Sequence, residues 1–82
     1  LALDTLGWIM VTEGDAQGGL ELLRNALSRE ANPLTRYHLA QALAELGRGA
    51  EARIELRRLL KAGQPLELVS DVQRYYDALP AQ

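Results

Sequence analysis

The sequence predicts an all-α fold built by repetition, and three observations predict it. Apolar residues make up 48% of the 82 positions and are drawn mainly from Leu and Ala, with aromatics at 5% and no Phe. Leu and Ala are strong helix formers, whereas sheets favour β-branched and aromatic residues. Gly and Pro interrupt the chain at intervals suited to short helices, and each stretch between them carries apolar residues at helical spacing. The chain also resembles itself at an offset of 33 residues.

The punctuation places each helix in turn. Gly14-Asp15 can close a first helix and cap a second, and Asn32-Pro33 offers an N-cap followed by proline at the first helical position. Gly47 and then Gly63-Gln64-Pro65 supply the next stops, and Pro80 ends the pattern. Five helices follow, over residues 2–13, 16–29, 33–46, 49–62 and 66–79. In the first, Leu6 and Met10 are expected on the packing face. The second is expected to bury Leu20, Leu23, Ala26 and Leu27, and the third Leu39, Ala42, Leu43 and Leu46. The fourth offers Ala52, Leu56, Leu59 and Leu60, and the fifth Leu66, Val69, Val72, Tyr76 and Leu79 along one side. No stretch alternates with period two for long enough to form a strand.

Sliding the chain by 33 residues lays Leu6 on Leu39, Gly14 on Gly47, Leu23 on Leu56, Arg24 on Arg57 and Leu27 on Leu60. Met10 falls on Leu43 and Gly19 on Ala52, similar in size. These matches sit at core and turn positions. The first unit reads Leu3-x₂-Leu6-Gly7-x₂-Met10, then Gly19-x₃-Leu23 and Ala26. The second reads Arg36-x₂-Leu39-Ala40-x₂-Leu43, then Ala52-x₃-Leu56 and Leu59. The chain thus resembles the tetratricopeptide repeat (TPR) family, whose pattern is W-x₂-L-G-x₂-Y, A-x₃-F and a closing Pro. Leu3 and Arg36 stand where the family usually has Trp, and Pro33 and Pro65 lie slightly past the expected site. Small residues in this pattern let the two helices of one repeat approach closely.

The resemblance implies a single TPR domain fragment over residues 1–82, a segment of a right-handed α-solenoid. Its parts would be a first repeat over 1–32, a second over 33–64 and a capping helix over 66–79. The chain opens at Leu1 without a Met, inside an apolar pattern, and reads as a piece excised from a longer array. A finer likeness lies in Leu3-Asp4-Thr5-Leu6-Gly7-Trp8 and Arg36-Tyr37-His38-Leu39-Ala40. Those stretches look like the C-terminal repeats of bacterial TPR lipoproteins that accompany exosortase (PEP-CTERM) sorting systems. That likeness implies a cell-envelope or periplasmic setting.

Composition and spacing argue against an enzyme. A formal net charge of −2 gives no long-range field to recruit nucleic acid or an anionic membrane. The absence of Cys removes disulfides, thiol catalysis and cysteine-ligated zinc together. No apolar run approaches the ~20 residues of a transmembrane helix, so these residues are not expected to insert in a membrane. His38 is the only histidine, and its neighbours one helical turn away, Leu34, Thr35, Gln41 and Ala42, are not metal ligands. No Ser or Thr has a helical partner that could act as its base. Gly18-Gly19 lacks the strand–loop–helix setting of a phosphate cradle and suits helix packing better. No catalytic, metal or cofactor site is expected.

The resemblance instead implies a protein or peptide partner. The first helix of each TPR pair lines a concave groove, here with Asp4, Trp8 and Val11, matched by Tyr37, Gln41 and Ala44 in the second unit. Trp and Tyr are over-represented among binding hot spots. The competing reading is that Trp8 packs on the neighbouring first helix, against Tyr37 or Gln41. Asp4, Thr5, Trp8, Tyr37, His38 and Gln41 include no Lys or Arg, which speaks against a clamp for a peptide's terminal carboxylate and favours an apolar or aromatic-rich peptide. Arg53, Arg57 and Lys61, spaced by four, could bind an anion but suit a solvated convex face. The alternative role is structural. Leu1, Leu3 and Met10 would form an apolar edge on the first helix, through which the chain would self-associate.

Overall fold

The computed structural model describes residues 2–80. It contains five helices: α1 (Leu3–Thr12), α2 (Ala16–Arg29), α3 (Pro33–Glu45), α4 (Gly49–Ala62) and α5 (Leu66–Ala78). Among the described residues there is no strand, and the fold is all-α. Leu1, one of the residues expected at the apolar edge, lies outside the described residues.

Local chemistry sets the helix boundaries. The Asp15 carboxylate accepts the Gly18 N–H at 2.9 Å, satisfying a free donor at the start of α2. At α3, the Asn32 side-chain oxygen accepts from the N–H groups of Leu34 at 2.9 Å and Thr35 at 3.4 Å, with Pro33 in the first helical position. Gly47 and Gly63 stop α3 and α4 at φ of +76° and +71°, a backbone state that costs a residue with a Cβ dearly.

Each helix packs on the one before it. The most extensive contacts join α1 to α2 and α3 to α4, while α2 also packs on α3 and α5 on α4. Leu20, Leu23, Leu56 and Val72 have no exposed surface. Burial of each contributes roughly 1.5–3 kcal/mol before the entropy of folding is counted. Around them stand Leu39, Leu43, Leu59 and the alanines 40, 42 and 52. Ala26, Leu27, Leu46 and Leu60, expected in the core, are only half-buried at its rim.

The α1–α2 crossing is close because both helices present glycine. A Cβ built on Gly19 would stand 2.5 Å from the Gly7 carbonyl oxygen and from Val11 Cγ2. In the second pair, Ala40 and Ala52 occupy the corresponding positions and are fully buried.

Two expectations about faces are corrected. The side of α1 that meets α2 carries Gly7, Val11 and, as expected, Met10, but not Leu6, which remains 37% exposed. The tight glycine crossing turns Leu6 and Ile9 outward, so the open apolar edge consists of these two, with Leu3 and Met10 half-buried. On α5, Leu66 is 76% exposed, and the packing side runs through Leu68, Val72, Tyr75, Tyr76 and Leu79, so Val72, Tyr76 and Leu79 pack as expected. Tyr75 meets Tyr37 of α3 and Tyr76 meets Arg53 and Arg57 of α4, so α5 packs on both sides of Val72.

Candidate partner-binding face

Helices α1, α3 and α5 share one face, and a row of aromatic rings crosses it. Trp8 of α1 lies flat on His38 of α3, with ring centroids 4.1 Å apart and planes 7° from parallel. His38 is followed by Tyr37 at 6.4 Å, and Tyr37 meets Tyr75 of α5 edge-to-face at 5.8 Å. Adjacent positions on a helix point about 100° apart. Tyr37 therefore reaches toward α5 while His38 reaches toward α1. All four rings are half-buried, each keeping part of its surface toward solvent.

The face is acidic. The Thr35 hydroxyl, on a residue only 2% exposed, donates to the Asp4 carboxylate at 3.2 Å, tying α1 to α3. Burial holds the His38 imidazole below its ordinary pKa, and Asp4 pulls it partly back. The Tyr37 hydroxyl is pushed up by burial first and by Asp71 next, with Arg74 acting the other way. Tyr75 is pushed up by burial and then by Glu45 and Tyr37. Beside the row, a cleft of about 330 Å³ opens between the starts of α3 and α5. Pro33, Leu34, Pro65 and Leu68 line it, with Glu67 and Asp71 as its charged members.

The residues expected to line a groove do not all stand on this face. Asp4, Trp8 and Tyr37 do, and Gln41, half-buried, lies one turn beyond Tyr37. Val11 does not. It is 8% exposed and wedged against Gly19, because the glycine crossing draws α2 over it. Ala44 packs against the core and offers little surface. Trp8 packs on the neighbouring first helix, as the competing reading held, with His38 as its stacking partner.

The basic stripe of α4 is solvated at Arg57, Arg58 and Lys61, as expected, but Arg53 and Arg57 also clasp α5. The Arg53 guanidinium lies 4.5 Å over the Tyr76 ring and reaches the Leu79 carbonyl at 3.5 Å. The Arg57 Nε–H donates to the Tyr76 hydroxyl at 3.0 Å, which lowers that phenol's pKa. Sequence reasoning missed this clasp, and it also missed Thr35 and Tyr75. The four-residue spacing of the arginines was a signal for a shared face but not for its occupant.

Among the described residues, no group of three or more His, Cys, Asp or Glu could hold a metal ion. No helix among the described residues is long and apolar enough to cross a membrane. The decisive comparison is with protein families. The family model for the tetratricopeptide repeat matches residues 10–79, spanning four of the five helices fully or nearly so and the end of α1. The chain belongs to the tetratricopeptide-repeat family. No curated protein and no solved structure matches it. Tetratricopeptide repeats are generally protein–protein interaction modules, and the family is typically a non-enzymatic scaffold. In this tetratricopeptide-repeat chain, small residues stand at both helix crossings, Gly7 with Gly19 and Ala40 with Ala52.

Proposed function

We propose that this tetratricopeptide-repeat chain binds an extended or helical segment of a partner protein across the face of α1, α3 and α5. The observation that carries the reading is the row Trp8–His38–Tyr37–Tyr75, four partly buried rings supplied by three helices, each keeping some surface toward solvent. Large rings give contact area at small entropic cost, and few interface residues carry most of the affinity. Because the rings rest on one another, the face is organised before a partner arrives, which lowers the cost of binding. Apolar or aromatic partner side chains suit the rings and the neighbouring cleft.

The test is affinity capture of partners with this protein, followed by Trp8→Ala and Tyr37→Ala. Loss of the captured protein with helicity retained supports the reading. Undiminished capture by both variants refutes it.

A second reading is assembly through the outer edge of α1, favoured by the exposure of Leu6 and Ile9 at 37% and 38%. In its narrower form the parent is an envelope protein linked to exosortase or exopolysaccharide functions. A gene neighbourhood encoding those functions would carry that form, and a neighbourhood without them would sink it.

A further inference from the structure

Charge is divided between the two sets of helices. Helices α1, α3 and α5 carry Asp4, Glu45, Glu67, Asp71 and Asp77 against only Arg36 and Arg74. Both arginines are engaged, Arg36 with Glu55 of α4 and Arg74 with Asp71. Helices α2 and α4 hold the remaining helical cations, among them the Arg53 and Arg57 that clasp α5. Of these acids, Asp4, Glu45, Glu67 and Asp71 stand beside the rings or the cleft, so the aromatic face is the acidic one. Asp71 lies near Tyr37 and also lines the apolar cleft beside it, so the row and the cleft form one continuous surface.

From this charge complementarity we infer that the partner segment is basic: a peptide in which Lys or Arg alternates with apolar side chains. The inference rests on the reading that the α1–α3–α5 face binds a partner. The cations would lie along the partly buried rings, whose faces attract positive charge, with Glu45, Glu67 and Asp71 beside them. The apolar side chains would enter the cleft lined by Pro33, Leu34, Pro65 and Leu68. Arg74 does not close the site. Its pair with Asp71 is an exposed one within a single helix, of the kind that contributes little and yields readily.

Trp8 is the single tryptophan, so its fluorescence reports on the row alone. The probes are fluorescein-labelled peptides with the repeating triplet Lys-Leu-Ala, Gln-Leu-Ala or Glu-Leu-Ala, followed by anisotropy and, with unlabelled peptide, by Trp8 emission. The lysine peptide is expected to bind at least about fivefold more tightly than the other two and to change Trp8 emission. Its binding should weaken as salt is raised. Glu67→Gln with Asp71→Asn should lower its affinity about fivefold, as two cation contacts are weakened. Glu13→Gln with Glu21→Gln, an equal change of charge at exposed positions off this face, should leave it unchanged. If the glutamine or glutamate peptide binds as tightly and changes Trp8 emission equally, the basic preference is overturned while the face remains a binding site. If the lysine peptide binds without changing Trp8 emission and ignores Glu67→Gln with Asp71→Asn, both readings fall. If none of the three binds, the basic-peptide inference is overturned.

Discussion

The indole of Trp8 and the imidazole of His38 lie 4.1 Å apart and nearly parallel, joining α1 to α3 across the face that α2 does not cover. Burial favours the neutral imidazole more than Asp4 favours the charged one, so the folded pKa lies below the ordinary 6.5. The unfolded chain then binds the proton more readily than the folded one. His38 therefore contributes stability that is present above pH 6.5 and is lost as pH falls through its folded value. Urea unfolding on either side of that window should show the loss, and His38→Gln should remove it. A loss that persists in His38→Gln would assign the effect to another group.

Gly19 tests the helix crossing. Alanine there would gain about 1 kcal/mol of helix propensity. Its Cβ would stand 2.5 Å from the backbone oxygen of Gly7, which cannot move without shifting α1. Overpacking of this kind costs roughly 1–3 kcal/mol, so Gly19→Ala should be destabilising on balance. At Gly18 the added atom meets side-chain ends and no backbone, the Met10 methyl and the Asp15 carboxylate, so its cost is limited to a shift of Met10 and of the Asp15 cap. Denaturation followed by circular dichroism should rank Gly18→Ala well above Gly19→Ala in stability. The reverse order would contradict the crossing geometry.

These contrasts show which parts of the molecule can be read from its sequence. Caps and periodicity act within one helix, so Asp15, Asn32-Pro33, Gly47 and Gly63 place the helix ends to within about a residue. Rotation of one helix against another is set by the crossing between them. Tyr37 and His38 point about 100° apart, and which of them meets Trp8 depends on how α1 and α3 cross. The same holds for α5, whose own periodicity marks Tyr76 but not Tyr75, because Tyr75 is drawn in by Tyr37 of another helix. Val11 looked available for a groove because its own helix gives no sign of how closely Gly19 approaches.

Thr35 and Asp4 form the polar tie between α1 and α3. Removing the carboxylate would leave the nearly inaccessible Thr35 hydroxyl without its acceptor. Asp4→Ala should cost about 1–2 kcal/mol and Thr35→Val a similar amount. Because each substitution breaks the same bond, the double variant should cost about 1 kcal/mol less than their sum. Simple additivity in urea unfolding would show that the bond contributes nothing.

The clasp on α5 makes a prediction about local opening. Arg53 and Arg57 are the polar contacts from α4 to Tyr76, and Val72 is the one fully buried side chain of α5. Arg53→Ala with Arg57→Ala should speed amide exchange across residues 66–78 while α1–α3 keep their protection. Val72→Ala should lower stability by about 2 kcal/mol, through lost burial and the cavity left behind. Equal acceleration in α1 and α5 would mean that the five helices open as one unit.

The exposed pair Leu6 and Ile9 sits three residues apart on α1, so both point to one side and present a continuous apolar strip. If that strip joins two copies, each dimer buries it twice. Leu6→Gln with Ile9→Gln should then weaken self-association by roughly tenfold or more. Glutamine is a good helix former, so the helix itself should persist. Ile54 of α4 supplies the control, since it is exposed to 46% and lies on another helix. Light scattering across a concentration series should show Ile54→Gln unchanged and Leu6→Gln with Ile9→Gln shifted toward monomer. An equal shift in both would point to non-specific apolar attraction, and no shift in either would remove α1 as the contact.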